Sequence, residues 1–421
     1  GVLFLVGLNL VSGLFDSNNR FPFVNSSTTT EQVPLTSDLS SQLTPVFISN
    51  NIEPTSTVST IPLLNQASLG NMEGKLLFTY YSDHQELYLL NMSNSAMIRL
   101  ADFLGYFGDS IVSPDGAKII FVSDDEGNDE IYRIDIDGSN QINLTENSDR
   151  DGYPVWLPDS RISFLSDRDT GSDLDLFIMN SDGSEQTKLN VDGFSFTWSP
   201  DGTKIAYRSS GSPGYLLNVM NADTSGQMQL TVDDPYEGPE ELLWSPDSTR
   251  LLFSSNRDGK DDLYIINADG SGEVRLTNNS STENSFAWSP DATKILFTFT
   301  SERNLDIYII NVDGTGLLKI TADEGDDEDP TWSPNGKQIA FVRRTSSGAN
   351  GLFVINPDGT GFKQLATKYW INSFFWSPDS KWIVFRSAED DGEKVYITRA
   401  DGSGYAELMD GKDVSLLGWY P

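Results

Sequence analysis

Nucleophilic catalysis of the Ser-His-Asp kind needs a histidine held by a carboxylate and facing a serine. The 421-residue chain has one histidine, His84, in Ser82-Asp-His-Gln85. It stands where sibling segments carry loop sequence such as Ser255-Asn-Arg-Asp258, and no nucleophile-elbow pattern accompanies it, so His84 reads as a surface-loop residue. Cysteine is absent, which removes thiol nucleophiles, zinc-thiolate sites and disulfides. Carboxylates are the chemistry that remains. Asp115, Asp201, Asp247, Asp291 and Asp379 recur at one register, and recurrence of that kind is explained by turn geometry before acid/base catalysis. No catalytic or cofactor-binding residue is assigned.

Denser acidic segments suit calcium better, because that ion takes six to eight oxygen ligands from carboxylates and carbonyls. Asp124-Asp-Glu-Gly-Asn-Asp129, Asp167-Arg-Asp-Thr-Gly-Ser-Asp173 and Asp323-Glu-Gly-Asp-Asp-Glu-Asp329 have the density. Their candidate ligands are Asp124, Asp129, Asp167, Asp169, Asp173, Asp326, Asp327 and Asp329. None matches EF-hand spacing, and solvated turns are the competing reading. Asn-x-Ser/Thr sequons at Asn25, Asn91, Asn143, Asn278 and Asn279 carry little specificity in a Ser/Thr-rich chain.

The elements that hold these residues are set by a repeat. An aromatic recurs at Phe78, Phe121, Phe164, Tyr207, Phe253, Phe297, Phe341 and Phe385, in steps of 43 to 46 residues, the period of a propeller blade. Ahead of most of them stands one phrase: Trp198-Ser-Pro-Asp-Gly202, Trp244-Ser-Pro-Asp-Ser248, Trp288-Ser-Pro-Asp-Ala292, Trp332-Ser-Pro-Asn-Gly336 and Trp376-Ser-Pro-Asp-Ser380, with degenerate copies at Val112 and Trp156. Proline presets the first central position of a tight turn, and Asp-Gly or Asp-Ser supplies the next ones. The turn joins a strand ending in buried Trp to an alternating strand such as Lys204-Ile-Ala-Tyr207. A third strand such as Asp306-Ile-Tyr-Ile-Ile-Asn311 and a fourth around Lys319-Ile-Thr321 complete the unit.

These phrases resemble the repeats of TolB-type β-propellers over residues 70 to 421, sharing Trp-Ser-Pro-Asp-Gly, Ile-Ala-Phe/Tyr, Asp-Ile-Tyr and Asp-Gly…Leu-Thr. The resemblance by itself implies six blades, whereas counting gives eight. The expected fold is therefore all-β: an eight-bladed propeller of four-stranded blades over 71–421. The unit around Phe78 lacks its own Trp strand and Trp419 belongs to an orphan one, so the C-terminal strand is expected to close the ring on the blade of Phe78, removing exposed sheet edges. Propellers of this repeat type also cap some serine peptidases, but no α/β-hydrolase segment follows these repeats, and an enzyme is not expected.

Two further segments precede the repeats. Residues 1–15 are apolar except for Asn9 and Ser12, and the chain opens on Gly1, which reads as a processed terminus. They are short of the roughly 20 residues of a spanning helix. Residues 16–70 are Ser/Thr/Pro-rich, an extended arm or linker, with β-prone islands at Val33–Leu35, Val46–Ile48 and Ile61–Leu64. With 28 Lys+Arg against 62 Asp+Glu, a net charge of -34 argues against nucleic acid and anionic membrane as partners. A membrane connection is expected only through a lost or partial N-terminal anchor.

Two functions fit. The first is a non-catalytic extracellular or cell-surface structural protein that self-assembles into a homo-oligomer or homopolymer, filament or layer. Its arm docks on a neighbouring subunit through Val2, Phe4, Val6, Leu8, Leu10, Phe15, Val33, Leu35, Val46, Phe47 and Ile48. The second is a membrane-tethered or periplasmic TolB-like module that binds a protein or glycan. Neither needs a cofactor beyond the candidate calcium.

Overall fold

The computed structural model describes residues 72–81, 84–103, 110–124, 127–169, 174–211, 214–231, 242–258, 262–278, 283–301, 304–321, 325–345, 350–368, 370–389 and 392–421. These form eight antiparallel sheets of four strands each. Blade 1 is Lys75–Tyr81, Gln85–Asn91 and Met97–Phe103 with Val414–Tyr420 as its first strand. Blades 2 to 8 follow in chain order, their first strands being Ile111–Val112, Asp151–Trp156, Phe194–Trp198, Leu242–Trp244, Glu283–Trp288, Asp326–Trp332 and Trp370–Trp376.

First strands of blades 2 and 3, 4 and 5, 6 and 7, and 8 and 1 touch one another, which places first strands innermost around the ring axis and fourth strands outermost. The tryptophans explain part of that order. The indoles of Trp156, Trp244, Trp288 and Trp376 donate to the carbonyls of Ile111, Thr197, Leu243 and Thr331, each on the first strand of the preceding blade, at 3.1 to 3.3 Å. One residue thus fills the core between sheets and ties adjacent blades through its polar edge.

The recurring aromatic of each second strand is buried in every blade. In seven blades it stacks on the aromatic paired across the third strand, with ring centroids 5.3 to 5.7 Å apart. Blade 4 departs because Asn218 faces Tyr207 there.

Ring closure follows expectation. Trp419 pairs with Leu76, and Leu416 pairs with Phe78 across a bulge. The seam differs in one contact: the Trp419 indole donates to the Glu73 carbonyl at 3.1 Å, where its siblings reach a preceding blade. Gly74 makes that approach possible, since at φ +97° a Cβ would lie 2.4 Å from the Tyr420 carbonyl oxygen.

The Ser-Pro-Asp turns use their serine and aspartate as a pair. Ser113, Ser199, Ser245, Ser289 and Ser377 donate to the Asp two residues on at 2.5 to 2.7 Å. The same carboxylate oxygen accepts the amide two residues further, as from Ala117 and Thr203. The hydroxyl of Ser113 and the amide of Ala117 hold the Asp115 carboxyl below its ordinary value. The repeated aspartates are turn residues.

Fourth strands are shorter than the Lys319-Ile-Thr321 segment implied. In blades 2 to 6 they have two residues, Ile142–Asn143, Thr187–Lys188, Met228–Gln229, Val274–Arg275 and Leu318–Lys319. Thr145, Thr231, Thr277 and Thr321 lie just past the ends in four of these, where each hydroxyl accepts the third-strand amide of Ile131, Leu217, Leu263 or Ile307 at 2.8 to 3.0 Å. A side-chain oxygen replaces the next ladder carbonyl, so the strand stops.

Candidate functional site

Tight turns join strands one to two and three to four at one end of the ring. The connections from second to third strand, and from each blade to the next, emerge at the other. All three acidic segments belong to this second end, and the structure separates their roles.

The segments of blades 2 and 3 meet. Arg150 pairs with Asp167 (backbone amide 2.8 Å, Nε 3.1 Å), and the amide of Asp151 donates to the Asp129 carbonyl at 2.8 Å. Burial raises the Asp129 carboxyl; the charges of Asp124 and Asp167 add to the rise and Arg150 opposes it. Three candidate ligands therefore share one electrostatic neighbourhood that also holds a cation. Asp169 pairs with Lys188 at 3.3 Å. Asp173 lies outside the described residues, as do all eleven arm positions from Val2 to Ile48. Among the described residues, no group of three or more metal-ligating side chains is arranged to hold an ion.

The third segment lies in blade 7. Asp326 accepts the Leu305 amide at 2.8 Å. Asp327 is fully buried and bound by Arg343 through Nε at 2.6 Å and a terminal nitrogen at 2.9 Å; burial still raises its carboxyl, against the arginine. Blade 3, diametrically across the ring, repeats the device: buried Asp151 accepts from Arg168 at 2.7 Å and from Asn147 at 2.5 Å. Arg168 and Arg343 also lie over the stacked rings of their blades, 4.8 Å from Phe177 and 5.3 Å from Phe353. These two acids anchor inner strands.

Two residues beyond each anchored Asp the strand bulges. Tyr153 and Asp329 have φ of 52°, and at the same register Ser195 in blade 4 and Ser285 in blade 6 have 53° and 40°. Non-glycine residues in this region are strained by about 1 to 3 kcal/mol. Tyr153 and Asp329 also precede Pro154 and Pro330, which disfavours helical backbone further. Tyr153 and Asp329 remain solvent-exposed. Burial nonetheless raises the Asp329 carboxyl, helped by the Glu328 charge and opposed by Arg344, the behaviour of a group open to water yet surrounded by protein. Exposed aromatics stand at the starts of two inner strands: Phe194, next to Ser195 and edge-on to Tyr215 at 5.1 Å, and Trp370 of blade 8, under the Arg344 guanidinium at 5.0 Å. These inner-strand positions form the candidate recognition site.

His84 lies beside a carboxylate at the start of the third strand of blade 1. Its Nε2 lies 3.7 Å from Glu86, which Arg99 holds at 2.7 Å and the Tyr88 hydroxyl at 2.9 Å. That contact belongs to a rung missed in the sequence, an acid opening the third strand and a cation thirteen residues later on the fourth: Glu86–Arg99, Asp175–Lys188, Asp262–Arg275 and Asp306–Lys319. Blade 8 reverses it with Lys394 and Glu407. Blade 2 breaks it, for Asn143 stands at the cation's place and Glu130 is buried among donors instead: Thr145, Asn128 and the Asn147 amide. Burial raises its carboxyl, against those bonds and with Asp151 adding repulsion. The fixed spacing of thirteen was the readable signal.

Known proteins agree with this architecture. A TolB homolog from Chlorobaculum tepidum is 30% identical over 118 residues, 28% of this chain and 27% of its own length. The chain spans about half or less of the curated relatives it matches. Porphyromonas gingivalis dipeptidyl peptidase 4 superposes with a TM-score of 0.62 at 13% identity, covering 82% of this chain and 60% of that one. An oligogalacturonate lyase in complex with manganese gives 0.52 at 15%, covering 78% and 98%. At such identities these two show a shared fold, one that enzymes also use. The model of the TolB beta propeller domain matches residues 70–241 and 194–419, and with that coverage the chain belongs to the TolB β-propeller family.

Proposed function

We propose that the protein is a non-catalytic recognition module of the TolB type, acting in the periplasm or at the cell surface, whose inner strands receive a basic, extended protein segment. The supporting observation is the set of four non-glycine residues at positive φ on inner strands, Tyr153, Ser195, Ser285 and Asp329. Strain maintained at one register in four blades is backbone shaped for something other than stability. The chemistry of the ligand follows from charge: a body of this acidity, with carboxylates raised by burial at Asp129 and Asp329, favours a cationic partner over an anionic one. Exposed Tyr153, Phe194 and Trp370 supply apolar and cation-π contact. A neutral glycan is the competing ligand class.

Calorimetric titration with an arginine- and lysine-rich peptide, beside a neutral oligosaccharide of similar size, tests this. Peptide binding that weakens several-fold in Asp329→Asn and Tyr153→Ala, and falls with salt, is expected. Binding indifferent to both substitutions, or a hydrolytic activity abolished by His84→Ala, overturns the reading.

A further inference from the structure

Three consecutive blades differ from the rest at their outer edges. Where blades 2 to 6 end in two-residue strands, blades 7, 8 and 1 end in Lys363–Thr367, Tyr405–Asp410 and Met97–Phe103. The difference follows one side chain in seven of the eight blades; blade 3, with Asn190 at that position, also stops at two residues. At the position of the threonines that stop the ladder stand Ala366, Met409 and Ala101, which have no hydroxyl. The strand therefore passes a bulge at Leu365, Leu408 and Leu100 and resumes pairing, as Ala366 with Leu352, Met409 with Val395 and Ala101 with Leu87. Each is the last strand of its sheet among the described residues. A long unpaired edge templates further strands and is ordinarily blunted or covered.

The chain carries a segment suited to cover them. Residues 1–71 contain one Arg and four Asp/Glu, leaving 27 basic and 58 acidic residues to 72–421. Body against body is repulsive; the arm, at a net −3, is the part of a second copy that an acidic ring accepts most readily. Its root is fixed: Met72 is buried at the seam of blades 8 and 1, in one cluster with Trp382, Leu408 and Trp419. From there 71 residues reach about 230 Å when extended, several times the about 50 Å breadth of a body this size. The island nearest that root in sequence is Ile61–Leu64. Val46–Ile48 and Val33–Leu35 lie further along the chain from it, with more length to reach a second copy.

We infer that the outer edges of blades 7, 8 and 1 are strand-acceptor sites for the arm of a second copy, through Val46-Phe-Ile48 and Val33–Leu35. Backbone pairing supplies the affinity, and alternate apolar side chains of the islands fix the register. Arm and edge are different surfaces of the molecule, so such a contact between copies is heterologous and propagates from copy to copy. This goes beyond recognition at the inner strands and stands or falls apart from it.

The test uses the full chain in equal mixture of natural and nitrogen-15 labelled protein, annealed and cross-linked. Cross-links between light and heavy copies, joining arm peptides to 363–367, 405–410 or 97–103, are expected. Amide exchange at those strands should rise at least tenfold in a chain lacking 1–71, and in Phe47→Asp, while blades 3 to 5 stay unchanged. Asp329→Asn serves as control and should assemble normally. Arm cross-links confined to a single copy, exchange unaltered by removing the arm, or a full-length chain that stays monomeric across a concentration series overturns the inference.

Discussion

At the scale of single residues, the Ser-Pro-Asp turns separate local conformation from blade-to-blade contact. The residue after Asp has positive φ whether it is Gly (Gly116 and Gly202, 69°) or not (Ser160, 68°; Ser248, 61°; Ser380, 62°). Ser248 and Ser380 offset this strain, because their hydroxyls accept the amides of Asp201 and Asn335 in the preceding blades at 3.0 and 3.1 Å. Ser160 is exposed, so Ser160→Gly is expected to stabilise the protein by about 1 kcal/mol, read as a higher denaturation midpoint. Ser248→Gly should gain less, since it gives up its bond. Thr277 makes the opposite case: its hydroxyl accepts the Leu263 amide and donates to buried Asp262. Thr277→Val should cost about 1 to 3 kcal/mol by leaving the Leu263 amide without its acceptor and taking one donor from Asp262, which Arg275 still holds.

Two populations of carboxyl also predict the pH profile. Glu130 has its folded pKa raised above 4.5 by burial, so its ionised form is disfavoured by folding and stability rises as pH falls from neutral through that raised value. Asp115 has its folded pKa lowered below 3.8 by the Ser113 bond; stability it contributes is present above 3.8 and lost as pH falls through the lower value. Chemical denaturation across pH should therefore show a maximum on the acid side of neutrality and a collapse below about pH 4. Glu130→Gln should flatten the rise and leave the acid collapse in place.

At the scale of elements, one position accounts for how far the outer strand runs in every blade but blade 3. Threonine ends it by lending a hydroxyl to the third strand, and alanine or methionine lets the backbone continue. Ala366→Thr is expected to shorten the outer strand of blade 7 and expose its last residues, seen as faster amide exchange at 366–367. The seam is a second control point. Removing Val414–Pro421 takes Trp419 out of the core shared by blades 8 and 1 and bares Lys75–Tyr81 as an edge. Aggregation of the truncated chain, followed by light scattering, is the expected outcome.

At the scale of the whole molecule, a net charge of -34 sets a repulsive background against which folding and association both proceed. Raising ionic strength from about 0.01 to 0.15 M shortens the Debye length from about 30 to 8 Å. The melting temperature should therefore rise with salt, while affinity for a cationic peptide falls. Opposite slopes from one titration would separate the self-repulsion of the ring from attraction at its site.

Repetition made the fold readable. Eight aromatics at one period, the Trp phrase and the orphan Trp419 strand gave blade count and closure, because each blade must solve the same burial problem with the same residue types. The repeated aspartates were legible as turn residues for the same reason. Departures from the repeat were not. That Asp124, Asp129 and Asp167 meet beside Arg150, that Asp327 and Asp151 are anchors buried on opposite blades, and that Glu130 lacks the cation of its siblings all depend on contacts between blades or across a sheet, which no local pattern encodes. The bulges at Tyr153 and Asp329 likewise arise from register between paired strands. Sequence determines this ring because its core is periodic; tertiary structure alone decides the candidate site, because its residues are brought together by register across strands and by contact between blades.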